Sequence, residues 1–525
     1  MKKIKYYIAA IIAPVLMFPS CTDLDVYPEN TSSSEIVFST YEGTKGALAK
    51  VYAAYTLTGN QGPSGKKDLN IPGIDEGSNA DFLRTFFNHQ ELPTEEAHCL
   101  WNDAGIPELN EINFTSDDKF TSGLYYRVIM QIMYANEFIR NAKEELNPEI
   151  KAFIAEARFI RAFDYWVLMD IFGNPPFVTE NDVIGNLPEQ ISRNELFKFI
   201  ESELKDITDN NILKAPKSNE YGRADQAAAW ALLARLYLNA EVYTGTARWA
   251  DAVTYSKKVI DAGYSLKSNY EHLFMADNNV NNPEVILPIT YDGTRTRLFG
   301  GTTFLINCTF NGDYQQKYAD VVIGSGIYVN ANWSGYRTRK DFSDKFDRSD
   351  KRYLLVGENA ELGDDPTTFT NGLMVYKFRN IKSNSTPGNL VGGSDREFAD
   401  TDFPLFRLAE QYLIYAEAVV RGGGGSRSEA AGYVNQLRTR AGVSNINEPQ
   451  LSANFILDER ARELYWECHR RTDLIRYGLF TSSSYVWEWK GGVKGGRGVG
   501  AHFSIYPIPA SDMNSNTNLK QNQGY

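Results

Sequence analysis

The stretch from Glu149 to Phe172 constrains the fold of this chain more than any other part of the sequence. Apolar and small residues recur within it at helical spacing, among them Phe153, Ala157 and Ile160. The residues that follow, Gly173-Asn174-Pro175-Pro176, end the pattern, because Gly permits left-handed dihedral angles and Pro cannot continue a helix. The sequence therefore predicts a long helix with a sharp end.

The same helical spacing recurs along the chain on both sides of a central region. The segments with this pattern are Glu35 to Thr58, Leu124 to Asn141, Glu195 to Asp206, Phe403 to Arg421, Ser428 to Ala441 and Asp458 to Tyr477. In the last segment, Asp458 with Arg462 and Glu467 with Arg471 stand at i,i+4 spacing, at which an ion pair stabilises a helix. The sequence therefore predicts a mainly α fold.

The segment from Ala224 to Gly263 is predicted to form two helices that pack closely. The first carries Ala234 and, three residues further on, Tyr237, and the second carries Ala252. A small residue followed by an aromatic one, with a small residue in the partner helix, is the packing pattern of tetratricopeptide repeats. We expect such helix pairs to form the scaffold.

Between Tyr264 and Asp402 the helical spacing fades, and Asn, Gly, Asp, Thr and aromatic residues dominate. Two short apolar runs, Val285 to Ile289 and Met374 to Phe378, are predicted strands. The region is too long for a connector, so we predict a loop-rich insertion that carries function. The sequence Asp277-Asn278-Asn279 within it clusters oxygen ligands, which fits either a turn or a structural calcium site.

Residues 1–20 have the layout of a secretory signal, which is removed from the mature protein. After a basic start, the apolar run from Tyr6 to Phe18 is too short to span a bilayer comfortably. Cys21 resembles the lipidated cysteine in the lipobox of bacterial lipoproteins. We therefore predict a signal peptide over 1–20, a lipid on Cys21 and a polar tether over 21–34. Ordinary secretion with a chance cysteine is the alternative.

The composition of the chain argues against some classes of function. The formal net charge is −12 at pH 7, and nucleic-acid binding requires a basic surface, so nucleic acid is not expected as a partner. The four cysteines stand singly, and the five histidines show no spacing typical of a metalloprotease or a catalytic triad. Aromatic residues make up 13% of the chain, and those in polar loops are candidates for a ligand surface.

Several segments, taken together with Cys21, carry a family resemblance. They are Glu156 to Val178, Phe403 to Ala418, Asp458 to Leu464, and Tyr506 to Pro509 followed by Asn518 to Tyr525. In this order they resemble the SusD/RagB family of outer-membrane lipoproteins. The resemblance covers essentially the whole mature chain.

The resemblance implies about four tetratricopeptide-like helix pairs within 35–263 and 403–478, with 264–402 as a glycan-binding insertion, in one domain over 35–525. It also implies a non-enzymatic, lipid-anchored protein at the cell surface. Such a protein docks on a TonB-dependent, SusC-like transporter and hands it oligosaccharide, with starch or another α-glucan expected here. No catalytic residue and no cofactor are expected.

Within the family, Leu92 to Asn110 looks closest to the starch-binding branch, in which aromatic side chains cup the helical glucan. By that resemblance Trp101 and Trp333 become stacking platforms. A third aromatic platform is expected in the stretch from Phe304 to Tyr314, with Phe310 or Tyr314 as the candidates. Each tryptophan has an alternative interpretation as part of the core.

The resemblance further implies that Asp75, Arg84 and Asn102 bind sugar hydroxyls. Their alternative interpretation is a solvated acid, a solvated helix arginine and a turn residue. Two other functions remain open at this point. One is a family member that binds a different glycan or peptides, and the other is a secreted glycoside hydrolase that uses Glu95 and Glu96.

Overall fold

The computed structural model describes residues 33–59, 62–63, 68–74, 79–309, 317, 333–386 and 389–525. Over these residues the chain is mainly helical, as the sequence predicts. The predicted signal peptide, the predicted lipidation site Cys21 and the tether up to residue 32 lie outside the described residues.

The helices differ widely in length. In chain order they are α1 (Ser34–Val37), α2 (Tyr41–Ala53), α3 (Phe82–Glu91), α4 (Ile106–Glu111), α5 (Lys119–Asn141), α6 (Ile150–Phe172), α7 (Arg193–Asp209), α8 (Gln226–Leu238), α9 (Ala240–Thr244), α10 (Trp249–Ile260), α11 (Gly301–Asn307), α12 (Lys340–Ser343), α13 (Leu408–Val420), α14 (Arg427–Ala441), α15 (Ala453–Leu464), α16 (Arg470–Arg476) and α17 (Ala510–Ser515).

The strands are short and pair two by two in antiparallel fashion. They are β1 (His98–Cys99) with β5 (Tyr336–Arg337), β2 (Pro176–Phe177) with β3 (Glu189–Gln190), β4 (Val285–Ile289) with β8 (Phe403–Arg407), and β6 (Leu355–Val356) with β7 (Met374–Val375).

The long helices pack in succession, as expected for helix pairs. α5 packs against α6, α6 against α7, α8 against α10, and α13 against α10, α14 and α15. The first turns of several of these helices are fixed by side-chain caps, such as Asp118 before α5, Asp225 before α8 and Ser426 before α14. In α6, Phe153 is buried near the start, and every residue from Phe159 to Phe172 is buried.

Two predicted helices begin or divide differently from the sequence-based bounds. Residues 403–407, predicted as helix, form the strand β8, because they pair with β4. The segment predicted as one helix from Glu35 to Thr58 is divided at Ser39 and Thr40, since the Thr40 side chain caps α2 by accepting from Gly43 N–H.

The prediction of one helix from Asp458 to Tyr477 is wrong. The chain leaves α15 after Leu464 and enters α16 at Arg470. In between, Trp466 and Cys468 have left-handed φ values of 61° and 65°. A straight helix cannot pass through such residues. The predicted i,i+4 ion pairs are replaced, because Asp458 pairs with Lys345 and Glu467 with Lys377.

A buried network of charged side chains joins the insertion to the helices. Arg407, at the end of β8, lies 2.9 Å from a carboxylate oxygen of Glu284, 2.6 Å from one of Glu463 and 2.6 Å from one of Glu467. All of these side chains are at most 1% exposed. Lys377 of the insertion also pairs with Glu467. The network therefore connects the insertion and the β4–β8 strand pair to α15 and the turn that follows it.

The loop-rich character of 264–402 is confirmed over its described part, where the predicted strands appear as β4 and β7. Asp277 lies in a turn and accepts hydrogen bonds from the N–H and hydroxyl of Ser383 at 2.8 and 2.7 Å. In the described part of the chain, no three His, Cys, Asp or Glu side chains are placed to hold a metal ion. Within the same residues, none of the helices has the length and apolar character that a membrane span requires.

Candidate functional site

The pairing of β1 with β5 brings the two candidate stacking tryptophans onto neighbouring segments. Cys99 pairs with Tyr336, and Leu100 N–H donates to the carbonyl of Gly335 at 2.8 Å. Trp101 follows this bond directly, whereas Trp333 lies two residues before Gly335. Residues far apart in the sequence thereby contribute to one region, which we call the tryptophan surface (Trp101, Trp333 and their ring contacts Phe299 and Arg84).

Trp101 is half-buried, since it packs against the core while part of the residue remains open to solvent. Its edge packs on Tyr336, with ring centroids 5.3 Å apart at 79°. Gly335 lies against the indole, where an added Cβ would be 2.2 Å from Nε1, and its φ is +105°. Only glycine fits this place, since both the contact and the dihedral angle exclude a side chain. The backbone at Gly335, just before β5, therefore sets the position of the Trp101 ring.

Arg84 supports the same ring from α3. Its guanidinium lies 5.6 Å from the Trp101 ring centroid and 4.8 Å from that of Phe304 in α11. Asp81 holds α3 and α11 together, because its carboxylate accepts from Arg84 N–H at 2.8 Å and from Gly301 N–H at 3.0 Å. Arg84 is only 8% exposed, so the interpretation as a solvated helix arginine is wrong. A guanidinium over a ring adds cation–π attraction.

Trp333 is also half-buried, and its N–H donates to the carbonyl of Asn307 at the end of α11 at 3.0 Å. Its ring contacts Phe299, with centroids 6.2 Å apart at 62°. Phe299 is half-buried and rests on Phe398, 5.3 Å away. Sequence reasoning missed Phe299, although an aromatic residue in a polar loop, here just before Gly300 and Gly301, is the kind of residue that it treats as a candidate for a ligand surface.

The other predicted site residues have different positions. Asn102 follows Trp101 and is exposed, so its side chain is available to a ligand. Asp75, Phe310 and Tyr314 lie outside the described residues. The structure therefore brings together Arg84, Trp101, Asn102 and Trp333, and their roles toward a ligand stay predictions.

The two acids considered for hydrolysis are buried. Glu95 is 1% exposed, and its carboxylate accepts from Arg470 at 2.5 Å and from Tyr485 at 2.6 Å. Burial alone would raise the pKa of Glu95, but the positive charges of Arg470 and Lys345 hold it at about 2. Glu96 is 2% exposed. Neither acid reaches a surface ligand, so the proposed hydrolase residues are structural.

Glu96 and Glu91 form a pair of buried acids beside the left-handed turn between α15 and α16. Glu91 accepts from His469 N–H at 3.1 Å and Glu96 from Trp466 N–H at 3.3 Å. Burial raises the pKa of Glu96 to about 8, and the nearby Glu91 also has a raised pKa. Burial therefore favours the protonated form of both acids in the folded protein at neutral pH, where two carboxylates would repel each other.

The raised pKa of Glu96 predicts a pH-dependent stability. The contribution of the protonated acid is fully present below its unfolded pKa of about 4.5 and is lost as pH rises through about 8. The Glu96→Gln side chain has nearly the same shape as that of Glu96 but does not ionise. As pH rises from 5 to 8.5, the free energy of unfolding of the wild type should therefore fall relative to that of the variant, by on the order of a few kcal/mol. Chemical unfolding at a series of pH values measures the difference.

The control for this experiment is Glu144→Gln, at an exposed acid. It should leave the pH profile of the unfolding free energy unchanged. A constant difference between wild type and Glu96→Gln over the whole pH range would contradict the assignment of a protonated Glu96.

The sequence of this chain is similar to those of known proteins over its whole length. The "Starch-binding protein SusD" of Bacteroides thetaiotaomicron is 36% identical to it, over 100% of this chain and 99% of that protein. The chain belongs to the SusD family. Two family models agree, since the one described as "SusD family" matches residues 304–525, and the one described as "Starch-binding associating with outer membrane" matches residues 81–238.

Solved structures share the SusD-family fold. A SusD superfamily protein of Parabacteroides distasonis aligns with a TM-score of 0.70 at 21% identity, covering 92% of this chain and 99% of that one. The surface glycan-binding protein A of Bacteroides thetaiotaomicron, solved with laminarihexaose, aligns with a TM-score of 0.67 at 19% identity, covering 92% and 100%. The predicted tetratricopeptide-like helical fold is thus confirmed at the level of the family.

Proposed function

We propose that this SusD-family chain is a cell-surface lipoprotein that binds starch or another α-glucan on the tryptophan surface and delivers it to a TonB-dependent transporter. The observation that carries the proposal is the placement of Trp101 and Trp333 on neighbouring segments, where each residue is only half-buried. The identity of the chain to a protein named for starch binding supports α-glucan as the cargo.

The chemistry of a sugar fits this surface. A pyranose ring has an apolar face of C–H groups, which packs on aromatic rings, and an edge of hydroxyls, which suits amide and guanidinium groups such as those of Asn102 and Arg84. Stacking on one aromatic ring is worth about 1–3 kcal/mol, with base stacking as the nearest analogue. The ordering of a flexible glycan offsets part of the binding free energy from two stacking rings. The remainder corresponds to a roughly millimolar to micromolar Kd. Such weak binding suits a protein that must release its cargo.

Binding without hydrolysis is part of the proposal. A glycoside hydrolase needs two carboxyl groups on either side of the bond that breaks. The two candidate acids, Glu95 and Glu96, are buried and at most 2% exposed. Incubation of purified protein with soluble starch should therefore release no reducing sugar. Release above the level of a Trp101→Ala, Trp333→Ala double variant would contradict this part.

A calorimetric comparison of ligands tests the cargo. The protein is titrated with maltoheptaose, with laminarihexaose and with a short peptide of mixed sequence. Saturable heat with maltoheptaose and little with the other two is the expected result. Binding of laminarihexaose or of the peptide without binding of maltoheptaose would favour the alternative of a different cargo within the same family.

The proposed lipid anchor at Cys21 has its own test. Cys21→Ala should release the protein from cell membranes into the soluble fraction, while the glycan affinity of the purified protein stays the same, because the anchor lies outside the binding surface. Membrane fractionation followed by immunoblotting measures the release. Retention of the variant on membranes of cells that lack the transporter would contradict the anchor.

A further inference from the structure

A concavity lies beside α2, and no residue of the tryptophan surface lines it. It is bounded by α2, α6, β4 and residues 220–223, and its volume is about 310 Å³. We call it the α2 cleft. Its walls are mainly apolar and include Leu48, Ala53, Ile160, Phe163, Leu287 and Ile289. A volume of this size is at the lower end of the range for small-molecule sites, which hold about 300–1,000 Å³.

The tyrosines of the α2 cleft have their hydroxyl groups engaged by the protein. Tyr52 donates to Glu156 at 2.7 Å, Tyr55 to Asp164 at 2.7 Å, and Tyr221 to Asp402 at 2.6 Å. Each hydroxyl is therefore directed to a carboxylate, so the rings contribute apolar surface to the walls. Tyr221 stands at the mouth with its side chain still half exposed, although its hydroxyl reaches a buried acid.

The charges of the α2 cleft are paired as well. Within the described part of the chain its charged lining residues are Lys45, Glu220 and Arg223. Lys45 Nζ lies 2.8 Å from Glu220, and Arg223 lies 2.6 Å from the buried carboxylate of Glu156. An ionic ligand would have to displace one of these pairs, whereas an uncharged ligand leaves them in place.

We propose that the α2 cleft binds a small, uncharged and largely apolar molecule. The apolar walls supply the binding energy by removing the ligand's surface from water, and the paired charges at the rim select against ions. The described candidate residues for glycan, Arg84, Trp101, Asn102 and Trp333, do not line the α2 cleft. The two sites are therefore separate, and this inference stands whether or not the proposed glycan function holds.

Two naphthalene dyes test the inference. N-phenyl-1-naphthylamine is uncharged and fluoresces strongly in apolar surroundings, and 8-anilinonaphthalene-1-sulfonate has the same rings with a negative charge. The wild type should give saturable fluorescence with the uncharged dye, at one site per chain, and a clearly weaker response with the charged dye. Ala53→Phe fills the cleft from α2 and should remove the saturable signal.

Gly46→Phe is the matched control, because it adds the same ring to the same helix where an added Cβ meets no atom within 4 Å. It should keep the wild-type response. If Ala53→Phe fails to fold, Ala49→Trp replaces it, since Ala49 lines the cleft and is exposed. An undiminished signal in a folded cleft variant, no saturation in the wild type, or equal binding of the charged dye would overturn the inference.

Discussion

Replacement of Trp101 or Trp333 by Ala is expected to weaken maltoheptaose binding by about 5- to 150-fold, since one stacking ring is worth about 1–3 kcal/mol. From a wild-type affinity that is already weak, either loss should abolish retention on a starch affinity gel. Trp101 packs on Tyr336 and Trp333 on Phe299, but each is half-buried, so the Tm should fall only slightly. Calorimetry, gel retention and a thermal melt measure these effects.

The control for the tryptophan variants is Trp230→Ala. Trp230 is also half-buried, but it lies on α8, where Lys258 Nζ stands 5.6 Å from its ring centroid. This variant loses a ring of the same size and should keep glucan binding. Undiminished binding in both the Trp101→Ala and the Trp333→Ala variants would show that the tryptophan surface is not the glycan site.

Arg407→Met is expected to lower the free energy of unfolding by about 3–5 kcal/mol. The guanidinium of Arg407 is 1% exposed and pairs with three buried carboxylates. Its removal leaves these buried negative charges with fewer positive partners, although Arg440 and Lys377 remain. Because Glu284 adjoins β4 and Glu463 belongs to α15, the loss should loosen the insertion from the helices. Chemical unfolding followed by circular dichroism measures the change.

Lys257→Ala is the control for this substitution. Its partner Asp261 lies one helical turn on, and the two side chains are 33% and 60% exposed. An exposed pair contributes little, so this variant should change the unfolding free energy by less than about 0.5 kcal/mol. A loss of less than about 1 kcal/mol in Arg407→Met would show that the buried network does not hold the insertion in place.

The helices were largely predictable, because their apolar spacing reflects which face is buried. The long helix α6 runs from Ile150 to Phe172, close to the predicted bounds. The break between α15 and α16 was not predictable, since Trp466 and Cys468 carry no local signal for left-handed φ. That turn depends on buried acids from α3 and the loop after it, which are distant in sequence.

The strand β8 could not be predicted from the local sequence either. A short apolar run such as Phe403-Pro-Leu-Phe-Arg fits either a strand or a buried helix, and pairing with the distant β4 decides between them. The tryptophan surface came from the family resemblance together with the polar loops around its residues. Phe299 and the buried position of Arg84 depend on packing between α3, α11 and the loop before α11, so sequence spacing alone could not supply them.

The most direct measurement for the proposed function is a crystal structure of the protein with maltoheptaose. If the tryptophan surface is the glycan site, sugar rings will stack on Trp101 and Trp333, and Asn102 will lie within hydrogen-bond distance of sugar hydroxyls. Well-ordered maltoheptaose bound elsewhere, with both tryptophan rings left free and open to solvent, would contradict it.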